Sequence, residues 1–262
     1  MDKTNRFSLM IDALTTLAEE EQKLPASHTP KLGLPTLSSV LADTSPLPHT
    51  ALFLGMAEDG LPVLLDLHDP VPGPILIVAD QASGKTSFLQ MIARATESMH
   101  DPADVQSGIV TPRPDEWKNF QDSQSVVGIY STKEESAREL IQSLVTWAHN
   151  NRDNRQTILL LIDDLEAVTE LGQESEQNLR WLLLRGPSRR VWPIITLDAS
   201  HVRNMESWLE FFRTRLFGCI RDEDTSHFIA SDSDKVFNEL SESQFTMREG
   251  KNWLNFWAPA LD

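Results

Sequence analysis

The chain has 262 residues, 40% of them hydrophobic, which is enough for one sizeable core. Its 39 acidic and 23 basic side chains give a formal charge of -16, which repels polyanions unless the basic residues are gathered on one surface. Nucleic acid is therefore disfavoured as a partner, although it stays among the candidates. Apolar runs fall far short of the roughly 20 residues that span a bilayer. A single cysteine also suits a reducing compartment, so we expect a cytoplasmic protein outside the membrane.

Residues 1–50 are predicted to form a helix and an arm that precede the main domain. Apolar residues recur at helical spacing between Phe7 and Leu17, which predicts an amphipathic helix of about four turns. Five prolines lie between Pro25 and Pro48, and this composition favours a linker or arm. Residues 51–262 would then form the main domain.

The main domain is predicted to be an α/β fold. A β-hairpin is expected at 51–67, where Pro62 suits an edge strand because its missing N–H costs least there. Apolar strands then alternate with helices, which predicts a mainly parallel sheet flanked by helices. The predicted strands are 75–78, 108–111, 126–130, 158–162, 194–197 and 216–220, with a closing hairpin at 244–247 and 253–257. The predicted helices are 85–99, 132–150, 178–184 and 205–211, the second of them starting from a capping box at Ser131–Glu134.

A phosphate-binding loop is predicted between strand 75–78 and helix 85–99. The segment Ala79-Asp80-Gln81-Ala82-Ser83-Gly84-Lys85-Thr86 fits G-x-x-x-x-G-K-[ST] except at Ala79, and it has the required strand before it and helix after it. Backbone N–H groups at such a helix N-terminus point at phosphate. The predicted nucleotide contacts are Ala82, Ser83, Gly84, Lys85, Thr86 and Ser87. Lys85 would reach the β and γ phosphates of ATP, and Thr86 would bind Mg²⁺. The alternative is an ordinary strand, turn and helix with a coincidental Gly-Lys-Thr.

Two carboxylates follow the apolar run 157–162. They are predicted to open at the carboxyl edge of a parallel sheet, where such folds bind ligands. Asp163 is the candidate partner of Thr86 in holding Mg²⁺, since this ion prefers oxygen ligands and keeps several waters. Asp164 and Lys85 are the candidate catalytic residues, with Asp164 polarising the attacking water. In the alternative interpretation the two aspartates cap the next helix, and both roles can hold at once.

Together these segments resemble the FtsK and HerA branch of P-loop ATPases, from about Leu52 to Trp257. The resemblance is carried by the hairpin, by both motifs and by the segments 183–196 and 212–217. It implies a ring-forming ATPase that moves or remodels nucleic acid or another polymer, as a homo-oligomer or as a subunit of a larger complex. It also implies an arginine that completes a neighbouring subunit's site, for which the candidates are Arg185, Arg189, Arg190 and Arg215. For each of these, a surface or salt-bridged role is the alternative.

The chain departs from that family's pattern at three positions. Ala79 replaces the first glycine of the loop, and Asp164 replaces the usual glutamate. The strand that ends at 196–199 lacks the glutamine that commonly senses the γ-phosphate. These departures leave the fold prediction intact but favour a second hypothesis, a nucleotide-binding module that hydrolyses slowly or not at all and serves as a switch or structural subunit. A third hypothesis, a small-molecule kinase, has no sequence signal for an acceptor pocket or lid.

Overall fold

The computed structural model describes residues 34–151, 156–230, 236–249 and 252–262. The helix predicted between Phe7 and Leu17 lies outside these residues. The chain divides into two units, and the features below belong to the second, Pro35–Asp262. Among the described helices, none combines the length and the apolar character needed to cross a membrane.

Strands and helices alternate along most of this unit. The strands are β1 (Ala51–Ala57), β2 (Pro62–Asp66), β3 (Ile75–Ala79), β4 (Val105–Thr111), β5 (Val126–Ser131), β6 (Thr157–Ile162), β7 (Val191–Asp198), β8 (Thr214–Phe217), β9 (Gln244–Glu249) and β10 (Asn252–Trp257). The α-helices are α1 (Leu37–Thr44), α2 (Lys85–Met99), α3 (Glu135–Asn150), α4 (Leu165–Thr169), α5 (Gln173–Arg185), α6 (Glu206–Leu209) and α7 (Glu223–Ala230). Short 3₁₀ helices cover Pro114–Phe120, Pro187–Arg189 and Ala199–His201.

The described strands form one mixed sheet in the order β2-β1-β10-β9-β8-β3-β7-β6-β4-β5. From β8 to β5 all neighbours are parallel, whereas β2, β1, β10 and β9 extend the sheet through antiparallel pairs. The predicted α/β fold with a mainly parallel sheet is therefore confirmed. Both predicted hairpins form, and Pro62 begins β2 at the edge of the sheet, where its missing N–H costs least.

Helices cover both faces of the parallel strands, which explains why these strands are apolar without alternation. Along β3, Leu76 and Val78 belong to one buried cluster, together with residues of α3 and α5. Ile75 and Ile77 belong to the cluster on the other face, together with residues of α1 and α2. The sheet is thus a buried middle layer, and polar side chains that follow its strands collect at the carboxyl edge.

The structure differs from the prediction at several boundaries. Helix α1 lies inside the stretch predicted to be a linker or arm, and it buries Leu37 and Val40. The capping box at Ser131–Glu134 is wrong, because Ser131 is the buried last residue of β5 and its carbonyl accepts the Glu134 N–H. Helix α5 begins at Gln173 rather than 178, and β8 covers Thr214–Phe217 rather than 216–220. The division of the chain at residue 50 stays a prediction.

His100, which follows α2, predicts a pH dependence of stability. Its Nε2 lies 3.0 Å from the Ala51 carbonyl oxygen. Burial lowers the pKa of His100 from its ordinary 6.5, against the opposing effect of the Ala51 carbonyl and of Asp104. Below that ordinary value the unfolded chain binds a proton that the folded chain binds less readily, so the stabilisation present above it is lost as the pH falls.

We expect the Tm to drop between about pH 7 and about pH 5.5, and to drop less in His100→Gln. The glutamine amide can donate to the same carbonyl and does not titrate. Calorimetry at several pH values measures both slopes, with His149→Gln, at an exposed residue, as the matched control. Equal slopes in His100→Gln and the wild type would contradict this assignment.

Candidate phosphate-binding site

The loop between β3 and α2 depends on backbone conformations with positive φ. Ala82 has φ of 57° and Gly84 has φ of 79°, and α2 begins directly after Gly84. A Cβ on Gly84 would lie 1.9 Å from the Glu242 carbonyl oxygen, so glycine is required by space as well as by φ. Such a loop directs backbone N–H groups toward one point at the helix N-terminus, the arrangement that binds phosphate.

Ala79, which replaces the first glycine of the motif, fits without backbone strain. It is the last residue of β3 and lies outside the residues with positive φ. Its methyl group points at Gly218, where an added Cβ would lie 3.0 Å away. The glycine after β8 therefore provides the space that the alanine side chain needs.

The Lys85 ammonium group lies over the loop. Its Nζ donates to the carbonyl oxygens of Ala79 and Asp80, both at 2.7 Å, and to Asp198 Oδ2 at 3.2 Å. Asp198 ends β7, which pairs with β3 in a register that places Ala79 opposite Asp198. The lysine is thus held by the strand on which the family's glutamine was expected.

Asp163 follows β6 and is the most enclosed carboxylate of the site, with a side chain 2% exposed. The Thr86 hydroxyl lies 3.0 and 3.1 Å from its two oxygens. The hydroxyls of Thr111 and Thr196 each lie 3.3 Å from one of them. The structure therefore brings together the two residues predicted to hold Mg²⁺ and adds two threonines from the neighbouring strands β4 and β7.

Arg113 reaches the same point from the loop after β4. Its Nη2 lies 3.1 Å from Thr86 Oγ1 and 3.6 Å from Asp163 Oδ2. Its Nη1 pairs with Glu116 at 3.1 Å. The guanidinium group thus places a positive charge beside Thr86 and the buried Asp163.

This pair also fits the chemistry of Mg²⁺. The ion needs few protein ligands beside phosphate, because it keeps several waters and takes phosphate oxygens. A hydroxyl and a carboxylate at the N-terminus of α2 meet that need. Within the described part of the chain, no larger group of His, Cys, Asp or Glu is placed to hold a metal.

The alternative interpretation predicted that both aspartates cap the next helix, and of the two only Asp164 caps α4. Its Oδ1 accepts the Glu166 N–H at 3.0 Å, and its own N–H donates to Thr196 Oγ1 at 2.8 Å. Its φ is 95°, which is strained for a residue other than glycine. Burial raises the pKa of Asp164, and this effect, with the charges of Glu166 and Asp163, outweighs the hydrogen bond from the Glu166 N–H and the nearby His201, which lower it. This carboxylate is therefore a better proton acceptor than an exposed aspartate.

Asp198 is held in its charged form. Burial opposes ionisation, but hydrogen bonds from the Ser200 N–H and hydroxyl, together with the Lys85 charge, leave the pKa of Asp198 below its ordinary value. The Ser200 contacts to Oδ1 measure 3.0 and 2.7 Å. A fixed negative charge thus stands beside the lysine of the loop.

One cleft of about 750 Å³ contains the predicted site residues. They are Ala82, Ser83, Gly84, Lys85, Thr86, Ser87, Asp163 and Asp164. The cleft also holds residues that the sequence did not single out, namely Arg113, Lys133, Thr196 and Asp198. All four lie within two residues of the carboxyl end of a strand, which was the available signal.

The four candidate arginines do not line this cleft. Arg215 is half-buried and donates to the carbonyl oxygens of Leu209, Phe212 and Ile229. Arg190 donates to the Leu67 carbonyl oxygen at 3.2 Å. Structural roles thus account for these two, while Arg185 is exposed at the end of α5.

No protein-family model and no curated protein sequence matches this chain. Solved structures do resemble it. The cytoplasmic domain of the Thermomonospora curvata type VII secretion ATPase EccC has a TM-score of 0.70 over 87% of this chain, at 17% identity. ATPases 2 and 3 of the same EccC, in complex with a signal sequence peptide, give 0.69 over 87% at 15% identity. The pCW3 conjugation coupling protein TcpA with ATPγS gives 0.66 over 87% at 15% identity.

The chain spans 32% and 43% of the two EccC chains and 70% of the TcpA chain. At these identities the likeness concerns the fold. The chain has the fold of the FtsK and HerA type of P-loop ATPases, as the resemblance implied.

The loop predicts unequal effects of alanine at two glycines of almost equal φ. Gly60 has φ of 80° and an added Cβ there would have no atom within 4 Å, whereas Gly84 has φ of 79° and its added Cβ would meet the Glu242 carbonyl. Gly60→Ala should cost about 1–2 kcal/mol of unfolding free energy from the left-handed backbone alone. Gly84→Ala should cost a further 1–3 kcal/mol or so, because the methyl group displaces that carbonyl. Urea unfolding of both variants measures the difference, and equal losses would disprove the tight contact.

Proposed function

We propose that this chain binds ATP with Mg²⁺ in the cleft and hydrolyses it. The observation that carries the proposal is the contact between Thr86 and Asp163, a hydroxyl and a buried carboxylate 3.0 Å apart at the N-terminus of α2. Beside it, Lys85 lies on a loop whose positive-φ residues suit phosphate binding. The two segments that the proposal assigns to the nucleotide thus lie side by side, although they are far apart in the sequence.

Each element of the cleft has a separate task. The N–H groups of residues 82–87 bind the phosphates, and Lys85 exchanges its loop carbonyls and Asp198 for phosphate oxygens. Thr86 and Asp163 would hold Mg²⁺, and the ion would supply positive charge that neutralises the phosphates. Asp164 orients and deprotonates the attacking water through Oδ2, while Oδ1 keeps its cap on α4.

We also propose that the chain works as one subunit of a larger assembly that uses ATP to act on a partner. The related folds serve different partners, since EccC was solved with a signal sequence peptide and TcpA is a conjugation coupling protein. The formal charge of -16 disfavours nucleic acid as that partner. Exposed Arg185 is the candidate that would reach a neighbouring subunit's phosphates.

A second function is favoured by two features of the same cleft. Asp164 is engaged in capping α4, and Asp198 places a negative charge next to Lys85. Both features would slow hydrolysis. The chain would then be a switch or structural subunit that binds ATP and hydrolyses it weakly.

ATP turnover and nucleotide binding, measured on the same samples, separate the two functions. Lys85→Ala should abolish turnover and weaken binding of a fluorescent ATP analogue, because it removes a phosphate contact. Asp164→Asn should keep binding but reduce turnover at least about 100-fold, the usual loss of a general base. Lys118→Ala and Asp115→Asn, an exposed ion pair whose two residues do not line the cleft, are the matched controls.

Binding by the wild type without turnover would favour the switch. Absence of Lys85-dependent binding would exclude both functions.

The negative charge of Asp198 is predicted to disfavour ATP relative to ADP. Its carboxylate pairs with the lysine proposed to contact the γ-phosphate, so it repels a triphosphate more than a diphosphate. Asp198→Asn should therefore raise the affinity for a non-hydrolysable ATP analogue about fivefold relative to ADP. Titration calorimetry with both ligands gives the ratio. A purely structural role for Asp198 would change both affinities equally and leave the ratio as it is.

A further inference from the structure

The guanidinium group of Arg113 lies against the two side chains proposed to hold Mg²⁺. Nη2 donates to Thr86 Oγ1 at 3.1 Å, using the oxygen that would have to face the ion. The same nitrogen lies 3.6 Å from Asp163 Oδ2. Magnesium binds oxygen at about 2.0–2.1 Å, so an ion on these oxygens would lie close to the guanidinium, and the two positive charges would repel each other.

Two further contacts place Arg113 at this point. Its backbone N–H donates to Thr111 Oγ1 at 3.1 Å, and that threonine is itself hydrogen-bonded to Asp163. Glu116, on the following 3₁₀ helix, pairs with Nη1. The side chain is nevertheless 56% exposed, so it can leave Thr86 and Asp163 without unpacking the core.

The charges that line the cleft make the location of Arg113 important for binding a phosphate ligand. The residues lining the cleft include the cations Lys85, Arg113 and Lys133 and five carboxylates, namely Glu116, Asp163, Asp164, Asp198 and Glu242. Arg113 is the described cation that lies beside Asp163. Without that arginine, Asp163 would repel the phosphates unless another cation were present.

We propose that Arg113 competes with Mg²⁺ for Thr86 and Asp163 and thereby sets how strongly nucleotide binding depends on the metal. The inference rests on the proposed function. With Mg²⁺ in solution, the guanidinium is a competitor that weakens metal-assisted binding. With Mg²⁺ removed, it neutralises Asp163 and permits a weaker, metal-independent binding.

The test is the ratio of the Kd for a fluorescent ADP analogue in EDTA to its Kd in millimolar Mg²⁺. ADP is chosen because it is not hydrolysed. Arg113→Ala should raise this ratio about tenfold, a typical size for coupled binding, since it removes both the competitor and the substitute charge. Arg113→Lys should give a smaller rise, because lysine keeps the charge but lacks the planar fork that contacts Glu116 through Nη1 and Thr86 through Nη2.

Arg138→Ala is the matched control. Arg138 is 48% exposed and pairs with Glu135 in the same i,i+3 manner as Arg113 pairs with Glu116, but it lies on α3 away from the cleft. The ratio of the two Kd values in Arg138→Ala should equal that of the wild type. A structural role for Arg113 would shift both Kd values together and likewise leave the ratio unchanged.

The outcomes separate this inference from the proposed function. If the wild type binds with Mg²⁺ and Arg113→Ala leaves or lowers the ratio, competition is disproved while the nucleotide site stands. If the wild type does not bind the nucleotide even with Mg²⁺, the proposed function fails and this inference falls with it.

Discussion

The burial of one carboxylate governs the arrangement of the cleft. Asp163 is 2% exposed, and a carboxylate in such a place needs hydrogen-bond donors and nearby positive charge. The donors are the hydroxyls of Thr86, Thr111 and Thr196, which belong to α2, β4 and β7. They meet because β4 and β7 flank β6 in the sheet and all three end at one edge. Asp163 therefore ties the first turn of α2 to the sheet and fixes the loop that precedes it.

The departures from the motif are accommodated by the backbone around them. Ala79 keeps its methyl group because Gly218 faces it, so the change on β3 is matched by a glycine after β8. Asp164 keeps a φ of 95° because its N–H and its carboxylate are both hydrogen-bonded. Thr196 serves both aspartates, since it donates to Asp163 and accepts from the Asp164 backbone. Both altered residues are thus supported by specific contacts with neighbouring residues.

The features that were predicted well from the sequence are those that depend on consecutive residues. The loop before α2 and the apolar run that ends in Asp163 are local patterns, and a parallel sheet then places their ends at one edge. Arg113 and Asp198 carry no such pattern, because only the strand order brings them to the loop. Helix α1 was not predicted, because it too depends on tertiary contacts rather than on a local pattern. It is short, it is stabilised by burying Leu37 and Val40, and its propensity alone would not hold it.

Charge balance imposes the last constraint on the cleft. Lys85 and Arg113 are paired with Asp198 and Asp163, and a polyanionic ligand can recruit these cations only if they leave their carboxylates. A buried carboxylate that loses its paired cation destabilises the folded state unless neutral hydrogen-bond donors remain beside it. Asp198 keeps the N–H and hydroxyl of Ser200, and Asp163 keeps its three threonine hydroxyls. The neutral donors therefore allow each carboxylate to stay charged if its cation moves away.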